Sequence, residues 1–128
     1  MTVDNEYSAR VLERAAKLLS ENGLAKGEYW PGDSLPWSAP LELDVTAAIG
    51  VALGEKTATG VSRAVVGYAY DVPPVDRGKG HPAFRAVLDE LGLDSALELY
   101  KWSDSVTVTE AIAVLLDAAD TLRKEATQ

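Results

Sequence analysis

Apolar residues recur every three or four positions between Glu6 and Asn22, with Tyr7, Val11, Ala15 and Leu18 in one row and Leu12, Ala16 and Leu19 in a second. Arg10, Glu13, Arg14 and Lys17 fall between the rows, so the spacing predicts an amphipathic helix with one stripe for a core. Asn22-Gly23 stops it, because glycine accepts the left-handed conformation that ends many helices. From Val45 to Leu53 apolar side chains lie on nearly every side, which predicts a central, buried helix with Asp44 as its cap and Gly54 as its end. Pro82 suits the first turn of a helix over Ala83 to Leu91, with Phe84, Val87, Leu88 and Leu91 on one side and Gly92 as the stop.

Asp94 or Ser95 opens a brief segment through Tyr100 in which Leu97, Leu99 and Tyr100 supply burial, and the pattern leaves helix and extended chain both open. Thr107-Val108-Thr109-Glu110 reads as a capping box, in which hydroxyl and carboxylate satisfy each other's backbone donors. It opens a helix to about Glu125 whose stripe is Ala111, Ile112, Leu115, Leu116, Ala119 and Leu122, with Arg123-Lys124 complementing the negative end.

Two stretches lose this period. Leu24 to Pro40 combines dense Gly and Pro with Tyr29, Trp30 and Trp37, a loop whose rings either cover the core or line a ligand groove. In Val61 to Val72, Val65, Val66, Tyr68 and Tyr70 suit a strand, whereas Ser62, Ala64 and Ala69 permit a helix. Helix is the preferred reading and a short β-hairpin the alternative, with Pro73-Pro74 forcing the exit. The expected fold is therefore mainly α: one domain over residues 1–128, a compact bundle of three to five helices with two long aromatic loops.

Charge narrows the partners. Twelve basic against 20 acidic residues leave a net charge of -8, which repels nucleic acid and anionic membrane; its preferred reading is solubility, and the sharper alternative is a negative surface offered to a basic protein. The absence of cysteine excludes disulfides and thiolate chemistry and favours a cytoplasmic location. Met1 to Arg10 lacks the basic start and apolar run of a signal peptide, and no apolar stretch approaches the roughly 20 residues of a membrane span.

A single histidine, His81, leaves little from which to build a triad or a zinc site, and no Asp-rich calcium loop occurs, so neither metal nor cofactor is expected. Asp76-Arg77-Gly78-Lys79-Gly80-His81-Pro82 joins cations and glycines to a helix start and could present backbone amides to a phosphate or carboxylate. Tyr100-Lys101-Trp102-Ser103-Asp104-Ser105 is a second polar and aromatic cluster, read as a loop in which Trp102 packs between helices and Asp104 or Ser105 bonds backbone amides. His81, Asp104 and Glu110 are the candidate catalytic groups, joined by Tyr70 in an enzyme or ligand carrier with its pocket between the aromatic loops.

Three segments together, Ser20 to Tyr29, the small-residue Thr46-Ala47-Ala48-Ile49-Gly50, and Trp102-Ser103-Asp104 before the helix from Thr107, resemble a family of small domains of unknown function common in actinobacteria and their phages. That family carries a Gly-x-Tyr step after its first helix, Trp-Cys or Tyr-Cys before an alanine-glycine helix, and Trp-Asn-Asp before a Thr-x-x-Glu-Val helix. Here Ser103 stands where asparagine is usual, Asp44-Val45-Thr46 stands near the expected cysteine, and Thr57 to Gly80 looks like an insertion. The resemblance implies a helical fold and an actinobacterial or phage-like source, and brings no activity with it.

Acidic surface and aromatic loops without a coherent nucleophile, base and orienting group favour a non-enzymatic binding or regulatory module. It would act on a protein partner as monomer or homodimer, in the manner of a phage accessory or inhibitor protein. Trp30, Trp37, Arg77, Lys79, His81 and Trp102 are its expected contacts.

Overall fold

The computed structural model describes residues 2–24, 44–54 and 81–126, and within them the chain forms five helices and no strand. They are α1 (Thr2–Asn22), α2 (Val45–Ala52), α3 (Pro82–Leu91), α4 (Ala96–Ser105) and α5 (Val108–Ala126). The loop from Leu24 to Pro40 lies beyond its first residue outside the described residues, as does the whole Val61 to Val72 stretch.

Each helix boundary has a local cause. Gly23 takes a φ of 90° and its N–H donates to the Leu19 carbonyl at 2.9 Å, closing α1. At the start of α3 His81 is the cap, its Nδ1 accepting from the Ala83 N–H at 3.0 Å with Pro82 in the first turn. Gly92, at φ 69° and ψ 32°, ends that helix. The Thr107 hydroxyl accepts from the Glu110 N–H at 3.1 Å while Glu110 Oε1 accepts from the Thr107 N–H at 3.2 Å, the reciprocal box expected from the sequence.

Several expectations need correction: Tyr7, Leu97 and Leu116, read as core-facing, are exposed, and two helix readings change. α1 begins at Thr2 rather than near Glu6, because its first turns are tied to the other end of the chain: Asn5 Nδ2 donates to the Leu122 carbonyl at 3.1 Å, and Glu6 takes the Arg123 guanidinium. The Trp102 to Ser105 cluster is not a loop but the second half of α4. Ser95 caps that helix by accepting from the Glu98 N–H at 3.2 Å, and Glu98 Oε1 accepts in return from the Asp94 N–H at 2.8 Å.

α1 lies along α5 and crosses α2; α3 packs on α5 and α1, and α4 rests on α2. Their facing stripes form one cluster in which Leu12, Leu19, Ile49, Leu99 and Leu115 are fully buried. Burying a leucine of this kind is worth about 1.5–3 kcal/mol of transfer free energy. On the flank, Arg123 of α5 forks between two carboxylates of α1, with Nη2 2.7 Å from Glu6 Oε2 and Nη1 2.8 Å from Glu13 Oε2.

Candidate functional site

The N-terminus of α2 carries the least ordinary chemistry among the described residues. Val45 to Gly50 are all buried, so the backbone donors of the first turn have no water and need partners from the protein. Asp44 Oδ1 accepts from the Ala47 N–H at 2.7 Å, and the Ser103 hydroxyl reaches over from α4 to accept from the Val45 N–H at 3.3 Å. Ser103 and Asp44 are each 1% exposed, and Thr46 beside them is buried as well. The second carboxylate oxygen, Asp44 Oδ2, is buried with no hydrogen-bond partner.

Burial is the largest influence on this carboxyl, and it disfavours the charged form. The Ala47 N–H works against it, the negative charge of Asp104 adds to it, and the outcome is a pKa pushed up to about 7. Asp44 thus exchanges a proton close to neutrality, which is the property of a general acid or base or of a proton-linked binding site.

The sequence candidates are spread over the fold. His81 is committed to capping α3; burial holds its imidazole below its ordinary pKa, and its ring centroid lies 6.3 Å from that of Tyr7 on α1. Glu110 is exposed and engaged in the α5 capping box. Asp104 belongs to the second half of α4, beside Asp44. Trp102 is half-buried against the core, with its carbonyl accepting from the Ser105 hydroxyl at 2.9 Å. Trp30, Trp37, Tyr70, Asp76, Arg77 and Lys79 lie outside the described residues. Among the described candidates Asp104 is the one whose charge acts on the polar centre, and Asp44 there was legible in the sequence solely as a helix cap.

A surface groove of about 310 Å³ runs between α3 and α5. Its floor includes Ala86 and Leu122, and among the described residues its rim carries Asp89, Glu90 and Glu125 against one cation, Arg85. The Thr121 hydroxyl donates to Glu90 Oε1 at 3.1 Å, which turns that carboxylate across the groove. Among the described residues no group of three or more His, Cys, Asp or Glu side chains could hold a metal ion, and no helix is long and apolar enough to cross a membrane.

Residues 4–121 match a family of unknown function, DUF6197. The chain belongs to that family. The DUF6197 match runs from α1 into α5, and so takes in the Asp44 and Ser103 junction and most of the α3–α5 groove. No curated protein and no solved structure matches the chain.

Proposed function

We propose that this domain is a non-enzymatic binding module that acts on a protein partner, and that a basic segment of the partner seats in the groove between α3 and α5. The observation that supports it is the groove's charge: three exposed carboxylates to one guanidinium over an apolar floor, on a chain whose net charge is -8. A lysine or arginine side chain has the length to lay its methylenes on Ala86 and Leu122 while its charge meets Asp89 and Glu125. A phage-type accessory or inhibitor protein that blocks a basic site on its target is the finer form of this reading, and the acidic surface would speed such encounters.

The test is capture of partners from source-cell lysate on tagged protein, with wild type beside D89N/E125Q. The expected result is a basic protein retained at low salt, weakened at high salt and lost with the variant. Retention of the same protein by the variant would place the contact elsewhere.

A second reading, a small enzyme or ligand-binding protein, is favoured by one observation, the buried Asp44 carboxyl titrating near neutrality with an unpartnered oxygen. Under that reading Asp44→Asn removes turnover or ligand-linked proton uptake while α2 keeps its cap. Unchanged behaviour of the variant would dismiss it.

A further inference from the structure

A second groove, about 500 Å³, lies between α1 and the C-terminal half of α2. Its floor is apolar, made by Leu18 of α1 with Val51, Ala52 and Leu53 at the end of α2. Over that floor stand Arg14 and Lys17, three residues apart on α1 and so on neighbouring positions of one helix face. Neither makes an ion pair among the described residues, in contrast to Arg10 on the same helix, which lies 3.7 Å from Glu6. Two unpaired cations over an apolar trough, on a chain that is otherwise strongly acidic, are complementary to a ligand with one anionic head and an apolar body.

We infer that the α1–α2 groove binds a small amphipathic monocarboxylate, its head on Arg14 and Lys17 and its apolar body along Leu18, Val51 and Leu53. The remaining groups set the selectivity. Glu21 lies about one turn beyond Lys17 on the rim, and the last carbonyls of α2 present the negative end of that helix near Leu53. Both disfavour a second anionic group on the ligand, so a dicarboxylate of equal length binds more weakly. This site is separate from the α3–α5 groove, and the two readings stand or fall independently.

Octanoate is the probe, with octanol, octylamine and suberate as companions, each titrated into the full chain by calorimetry and by amide chemical-shift mapping. Octanoate is expected to bind with shifts centred on α1 and the end of α2, and at least about tenfold more tightly than any companion. R14Q/K17Q, which changes two exposed side chains and leaves the core intact, is expected to lose about tenfold in octanoate affinity, whereas D89N/E125Q keeps it. Three results would each overturn the inference: no octanoate binding at millimolar concentration, equal binding of octanoate and octylamine, or full affinity in R14Q/K17Q. The last would mean that Arg14 and Lys17 serve only to offset the α2 dipole.

Discussion

Asp44 was readable as a helix cap from the sequence, since an aspartate stood before an apolar run. Its burial was not, because the residue that completes the site comes from α4, 59 positions along the chain. Ser103 follows Leu99 by four residues and shares its buried stripe, but that relation exists only once residues 96–105 are helical. With that segment read as a loop, a serine among polar neighbours carried no signal. The pH response of Asp44 follows from its own titration. Its folded pKa, about 7, lies above the ordinary 3.8, so the folded state holds a proton that the unfolded chain releases between those values. The associated stability is full below about pH 4 and is lost as pH rises toward 7, a change on the order of 4 kcal/mol over the window. Denaturant unfolding across pH 5 to 8 should show this decline, and in Asp44→Asn the slope over that range should be lost while the cap is kept. An unaltered slope in the variant would assign it to other carboxylates.

At the level of elements, the local signals were sufficient where they were reciprocal. Thr107 and Glu110 named the start of α5, and Pro82 with Gly92 bracketed α3, because caps and stops act within a few residues, whereas the cap from His81 was not read. Ser95 and Glu98 carry the same box at the head of α4, but the weak apolar stripe behind them hid it. Leu97 is 61% exposed, and among the described side chains of that helix only Leu99 and Ser103 are fully covered. Replacing Thr107 by alanine removes one acceptor from the first turn of α5 and should cost about 1 kcal/mol, measured as a lower urea midpoint with an unchanged slope. Thr107→Ser should restore most of it. A loss confined to the helix end, with no change in global stability, would show that α5 is nucleated by its packing on α1 instead.

For the whole molecule, the alternation of stripes was enough to forecast a helical bundle, but not which helices touch. The pairing of α1 with α5 depends on contacts between residues more than a hundred positions apart, and no local pattern encodes them. Arg123 marks that pairing. Its guanidinium holds the Glu6 and Glu13 carboxyls below their ordinary range, chiefly through its hydrogen bonds to them. Their contribution is therefore present above about pH 4.5 and fades as pH falls below it, the opposite direction to Asp44. Arg123→Gln should lower the melting temperature at pH 7 and low salt, and the difference from wild type should shrink both in acid and in high salt. A difference that persists at pH 3 would assign the effect to packing of the arginine stem.

The same pairing constrains how the chain is made. α1 leaves the ribosome before α5, yet the stripe that covers its Leu12 and Leu19 is shared with that later helix. Until α5 emerges, closing the core would mean assembling the earlier helices without the one that α1 packs against most extensively. Until then α1 has α2 but not α5 to pack on, so the core of the domain is expected to close only after α5 has been made.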